Sequence, residues 1–332
     1  MRVLIVGGTG NISVSIVKLL LEKGYDVTCF NRGQRGDLPD GARLIRGDRE
    51  DREAFERGMQ KEKFDAAIDM IGFNAEDAAS SVRAFRGVQH FVQCSTVCTY
   101  GVDYDWLPVT EDHPMRPITD YGRNKKAADD VYLRAHYEEG FPVTIVKPST
   151  TYGPQLGVGR QIVAREFSWL DRIRKGKPIL ICGDGKASHQ FLHVDDAAKG
   201  FVGLLGNATA LGQTYNLVNR GFVSWEAHHR IVMKILGREV ELIGIPLRDL
   251  VASGVPDTGN CETIFAHNTI YSGEKLFRDV PEFHPTVSLE SGLRQVIESM
   301  DTDGRIPNSD QLTWEDRLIE AQRAVGETEL GL

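Results

Sequence analysis

The chain has 332 residues, 41% hydrophobic and 26% charged, with a formal net charge of −8. That length holds roughly two domains with ample core; no run approaches the ~18 apolar residues of a membrane span, and the apolar run Val3–Val6 is too short for a secretory leader. Five scattered cysteines predict a reducing cytoplasm without a disulfide framework, and the acidic balance speaks against a general nucleic-acid surface.

Residues 2–6 read as a buried strand, and 12–23 carry apolar side chains at helical spacing. Gly24 closes that helix, 26–30 is a second strand, and 42–45 a third after a polar loop. A helix over 50–60, a strand over 65–71, a helix over 75–86 and a strand over 88–95 follow. Strands alternating with helices of this length predict an α/β fold with a doubly wound parallel sheet covered on both faces. A helix over 120–139 and a strand over 142–148 continue the series. Beyond Gly153-Pro154 the alternation loosens into a helix over 160–175, a segment 179–185, a helix over 194–205 and a strand-like 213–218. A charged amphipathic helix, about 311–327, comes last.

Between the first strand and first helix stands Gly7-Gly8-Thr9-Gly10-Asn11-Ile12-Ser13. Glycine permits a tight turn and close backbone approach, and the following helix N-terminus offers free N–H groups to a dinucleotide diphosphate. Gly7, Thr9, Gly10, Asn11 and Ile12 are therefore cofactor-binding candidates, with Ser13 in place of a third glycine. The second strand ends in Asn31-Arg32, with Arg35 nearby, where a carboxylate would hold the ribose of NAD; arginine forks onto phosphate, so NADP is slightly favoured over NAD. Asp48 is placed either to accept from the adenine amino group or to cap the next helix. Arg49 beside it and Gly72 after the fourth strand complete the cofactor candidates. The chain thus divides into a dinucleotide-binding Rossmann domain over 1–155 and a mainly substrate-binding portion over 156–332, with about 191–220 returning to the first.

Tyr121 and Lys125 are four residues apart on one helix face. An ammonium near a phenol lowers its pKa and makes tyrosine a general acid/base. Thr96 follows the strand ending in Gln93-Cys94-Ser95, at the edge where such sheets bind ligands. Cys94 and Cys98 lack the further ligands of a metal site.

The Gly-rich loop, Cys94-Ser95-Thr96-Val97-Cys98-Thr99-Tyr100-Gly101, Tyr121-x-x-x-Lys125, Lys147-Pro148-Ser149-Thr150-Thr151-Tyr152-Gly153-Pro154 and Phe191-Leu192-His193-Val194-Asp195-Asp196 resemble, in this order, the extended short-chain dehydrogenase/reductase family, the NAD-dependent epimerase/dehydratase group. The resemblance implies an NAD(P)-dependent enzyme acting on sugars or nucleotide sugars, with Tyr121 as acid/base, Lys125 on the nicotinamide ribose, Thr96 hydrogen-bonded to the reacting oxygen, and Pro148 beside the nicotinamide. It also implies a homodimer paired through helices 75–86 and 120–139. Val97 and Cys98 stand where the family's 4,6-dehydratases carry an Asp-Glu pair, so that mechanism is not expected. Cys98 resembles the acid/base cysteine of one epimerase branch, and is more readily read as a small buried side chain. His189 stands where the family often has an arginine on the substrate diphosphate, and Lys147 is either an anion contact or a strand-end charge. Asn74, Thr96, His189 and Arg160 are the substrate-binding candidates. Epimerisation leads; a net NADPH-dependent reductase or dehydrogenase and an atypical RNA-binding member of the family are the alternatives.

Overall fold

In a computed structural model that describes residues 1–34 and 36–326, the short apolar runs assemble into one parallel sheet. Its strands are β1 (Arg2–Val6), β2 (Asp26–Asn31), β3 (Arg43–Arg46), β4 (Ala66–Asp69), β5 (His90–Cys94), β6 (Val143–Pro148) and an edge strand, Thr214–Leu217. Their spatial order is edge strand, β6, β5, β4, β1, β2, β3, each neighbouring pair parallel. Helices α1 (Asn11–Glu22), α2 (Arg52–Lys61), α3 (Ala75–Ala84) and α4 (Asp120–Glu139) make the crossovers. From β1 the chain runs outward one way through β2 and β3, then the other way through β4, β5 and β6. The reversal leaves a crevice at the C-terminal ends of β1 and β4, where such folds bind ligands.

Because the sheet is covered on both faces, its central strands are buried along their whole length. On one face α1 and the helix Val194–Leu204 bring Ile16, Val17, Leu20 and Phe201 onto Val3, Ile5, Ile68 and Val92. On the other, α2, α3 and α4 enclose an aromatic series, Phe30–Phe55–Phe85–Phe91, with ring centroids 5.0, 5.8 and 5.4 Å apart. Fully burying such a ring contributes roughly 2–3 kcal/mol.

The chain divides into two compact units. The first comprises Met1–Thr151, Phe191–Arg220 and Tyr271–Val287 and holds the large sheet; the second comprises Tyr152–Gln190, Gly221–Ile270 and the chain from Ser288 onward. The second unit has a parallel pair, Ile179–Cys182 with Leu242–Ile245, and the helices Ser168–Lys175, Trp225–Leu236, Leu289–Thr302 and Trp314–Gly326.

Two elements differ from expectation. The helix expected over 160–175 starts only at Ser168. Arg160, Gln161, Ile162 and Val163 are all buried, and four consecutive residues cannot all point inward from one surface helix. The strand expected over 65–71 ends at Asp69, whose Oδ1 accepts the Ile71 N–H at 3.0 Å and turns the chain there.

Candidate active site

The phosphate-side loop is built by exclusion of side chains. Gly7 has φ +90°, and a Cβ there would lie 2.7 Å from Ile71 Cγ2, so only glycine fits. Gly10 is extended, at φ −79° and ψ 171°, and opens α1 without a side-chain cap. Ser13 is buried, and a Cβ on Gly10 would meet its Oγ at 3.1 Å, so serine does occupy the close-packed third position. Thr9, Asn11 and Ile12 follow on the loop and first turn. Both polar atoms of the Asn11 side chain are buried without a partner. Asn31 ends β2 with Oδ1 accepting the Gly8 N–H at 2.8 Å and Nδ2 unpartnered. An uncapped helix N-terminus, a loop that excludes Cβ atoms and unsatisfied amides in its wall fit a dinucleotide diphosphate.

Arg32 is exposed after β2 and makes no ion pair among the described residues, whereas Arg35 lies outside them. Sequence reasoning missed Arg46, which pairs in register with Asn31 and whose Nε lies 3.3 Å from where a Gly33 Cβ would stand. Only the β2–β3 register could have revealed it. Asp48 is exposed and accepts the Glu50 N–H; the helix cap is Asp51, bonded to Ala54 N. Arg49 points inward, 5% exposed, onto Asp69 at 2.9 Å and the Ser81 hydroxyl at 2.8 Å. The buried carboxylate of Asp69 requires a counter-charge, and that draws Arg49 inward.

Thr96, Cys98, Tyr121 and Lys125 come together at the ends of β5 and α4. Thr96 Oγ1 accepts the Cys98 N–H at 3.2 Å and starts a 3-10 turn, Val97–Thr99. Thr119 caps α4, and Tyr121 follows at its first turn, the residue 46% exposed. Lys125 is 1% exposed; its Nζ donates to Cys94 O at 2.6 Å and Gly72 O at 3.0 Å, 4.8 Å from the centre of the Phe73 ring. Gln93 Nε2 also donates to Gly72 O, at 2.9 Å, which fixes this carbonyl. Pro148 ends β6 in register with Leu217.

The electrostatics reverse two expectations. Although Tyr121 as a residue is nearly half exposed, desolvation, reinforced by Cys94 and Cys98, pushes its phenol up, while Thr96 pulls the other way. The Lys125 ammonium is committed to two backbone carbonyls, and burial lowers its own pKa. Cys98 is also pushed up by burial, with Thr96 opposing, so it is a thiol at neutral pH.

The substrate candidates are placed differently. Asn74 caps α3, its Oδ1 accepting Asp77 N at 2.9 Å. In the second unit His189 is fully buried, bonded to Thr269 Oγ1 at 2.9 Å and packed on Trp225 and Phe265; burial holds its pKa down to about 3. Arg160 is fully buried as well, held by Glu315 at 2.7 and 3.0 Å and by Glu166 at 3.0 Å. These are the surroundings of core residues.

The profile of the NAD dependent epimerase/dehydratase family matches residues 3–86 and 74–217. The chain belongs to that family. Its members are extended short-chain dehydrogenases/reductases, and this one is an NAD(P)-dependent enzyme of the oxidoreductase/epimerase kind. A 2′-dehydrokanamycin reductase of Streptomyces kanamyceticus is 32% identical over 247 residues, 74% of this chain and 70% of that protein. The chloroplast stem-loop binding protein of 41 kDa b from Arabidopsis thaliana is 26% identical over 68% of this chain and 60% of its own length. Among solved structures, UDP-glucose 4-epimerase of Thermotoga maritima, determined with UDP-glucose, superposes with a TM-score of 0.73 at 21% identity, covering 91% of this chain and 99% of that one. In this epimerase/dehydratase family member no helix among the described residues is long and apolar enough to cross a membrane.

Proposed function

We propose that the chain moves hydride between a carbon of a sugar or nucleotide sugar and the nicotinamide of NAD(P), with Tyr121 as general acid/base. The observation that supports this best is the convergence of Thr96, Tyr121 and Lys125 where β5 and α4 meet the Gly72 carbonyl. Thr96 orients the reacting oxygen, and Tyr121 gives or takes its proton. Lys125 binds the nicotinamide ribose and holds Cys94 and Gly72 in place. The nicotinamide, when bound, supplies or accepts the hydride. A phenol held up by burial is set to donate. Reduction should therefore be nearly level between about pH 6 and about 9, while oxidation, which needs the phenolate as base, rises with pH. Cys98 is the candidate second proton carrier for epimerisation. Arg32 favours NADP, and a cytoplasmic homodimer paired through α3 and α4 completes the reading.

A net reductase of a sugar ketone is the second reading. The neutral, buried His189 supports it, since it offers no cation to a substrate diphosphate, as does the similarity to the dehydrokanamycin reductase. Net change in reduced-nicotinamide absorbance marks the reductase; retained cofactor with no net change marks the epimerase. Tyr121→Phe should lower either turnover by roughly 10²–10⁴-fold with NAD(P)H affinity intact. Turnover within a few-fold of the parent sinks the proposal. RNA binding would instead appear as salt-dependent association indifferent to Tyr121→Phe.

A further inference from the structure

Two further buried charges stand beside Lys125 and take no part in the chemistry above. Asp129 lies on α4 one turn beyond Lys125 and two beyond Tyr121, so the three share a face. It is 1% exposed, and its Oδ2 accepts the Ser95 hydroxyl at 2.7 Å and faces Lys147 Nζ at 3.0 Å. Lys147, from the end of β6, also donates to Thr99 Oγ1 at 2.7 Å and stands 5.0 Å from the Tyr100 ring centre. Thr99 Oγ1 in turn donates to the Thr96 carbonyl at 3.0 Å. Ser95 and Thr99 flank the turn that carries Thr96 and Cys98. Both ends of that turn are thus tied to one buried ion pair, and the ion pair stands on the helix of Tyr121.

We infer that Asp129 and Lys147 are positioning residues, a buried ion pair that fixes the Ser95–Thr99 turn, and with it the Thr96 hydroxyl, against Tyr121. The consequence for catalysis rests on the hydride-transfer reading; the anchoring does not. A buried ion pair often contributes no more stability than apolar residues of the same volume. Its use here is geometric. Lys125 ties down the Cys94 and Gly72 carbonyls, which stops short of the turn, and a reacting group misplaced by about 1 Å costs roughly 100-fold in rate.

The test compares the full-length parent with Asp129→Asn/Lys147→Met, which removes both charges at similar volume, and with Lys147→Arg, which keeps the cation. In the double variant, amide exchange over 95–101 should quicken by about tenfold or more while α4 keeps its protection. Its kcat should fall by roughly 10- to 100-fold with NAD(P)H affinity within about twofold, and Lys147→Arg should retain most of the activity. Unchanged exchange in the turn overturns the anchoring whatever the activity. Faster exchange with unchanged kcat overturns the positioning role. A parent that turns over no sugar defeats the hydride-transfer reading and leaves exchange alone to decide the anchoring. If the double variant does not fold, Thr99→Val and Ser95→Ala each cut one link while keeping both charges, and the same exchange readout decides.

Discussion

Both units bury charged and titratable side chains, and they use them differently. In the first, Lys125, Asp129, Lys147 and the Arg49–Asp69 pair all support turns at the C-terminal edge of the sheet. In the second, Arg160, Arg172 and Glu315 form a buried network that grips backbone at Pro178 and Leu180. Beside it His189, His228 and His229 pack among Trp169, Trp225 and Phe265. Buried charge costs desolvation wherever it occurs. One unit directs it at the turns beside Thr96 and Gly72, the other at its own scaffold, so the two should fail under different challenges.

Acid should separate them most. Burial holds His189 down to about 3, His229 to about 4, and His228 well below its usual range. An unfolded imidazole titrates near 6.5, so below that pH the unfolded second unit binds protons that the folded unit refuses. Its stability is full above about pH 6.5 and falls as pH drops toward about 4, by about 3 kcal/mol for His229 alone. The first unit has His90, also held near 4, and so shares the tendency more weakly. Segment-resolved hydrogen exchange from about pH 7 down to about 4.5 should show 160–190 and 221–240 opening before 88–148. The reverse order removes the distinction.

The ion pairs offer a second way to break the comparison. Arg160→Met leaves Glu315 buried with less of its counter-charge and should cost about 3–5 kcal/mol in denaturant unfolding. Arg160→Met/Glu315→Leu should recover part of that loss, because the Leu180 N–H and Arg172 then lose Glu315, with NAD(P)H affinity unchanged throughout. A network that only holds a scaffold can be replaced by packing. If the apolar double variant loses cofactor affinity while its stability recovers, the second unit's network is not merely structural.

How much of this was legible in the sequence depends on whether a residue's role is local. The sheet, its helices and the Gly-rich loop follow from period and turn chemistry, which are local properties. The Tyr121, Lys125 and Thr96 grouping follows from helix spacing and the position of one strand end. His189 drew a functional expectation because it stands where the family often has an arginine, Arg49 because it adjoins Asp48, and Arg160 as a substrate candidate. Each is buried by a partner 20 or more residues away, Asp69, Glu315 and Thr269, and no local pattern announces such a partner. The expected effect of Lys125 on Tyr121 fails similarly: spacing puts both on one face, but the Gly72 and Cys94 carbonyls, from other elements, hold the ammonium. Asp129 did carry a local signal, four residues beyond Lys125, and its meaning appears only with Ser95 and Lys147 in place.

The smallest expected effect tests the first unit at its exposed rim, where charges are cheap and individually weak. Arg32 stands after β2, and Arg46 follows from β3 through its register with Asn31. Neither makes an ion pair among the described residues, so both guanidiniums remain available to a 2′-phosphate. Arg32→Ala should weaken NADPH binding about tenfold, the worth of one charge-assisted hydrogen bond, and leave NADH within about twofold. Arg46→Ala should do the same to a smaller degree, and the pair together should bring the two cofactors close to parity. Fluorescence titration of each variant with both reduced cofactors reads this directly. Equal losses for NADPH and NADH would mean that these arginines hold the loop, and that the Asn31 end of β2 does not choose between the dinucleotides.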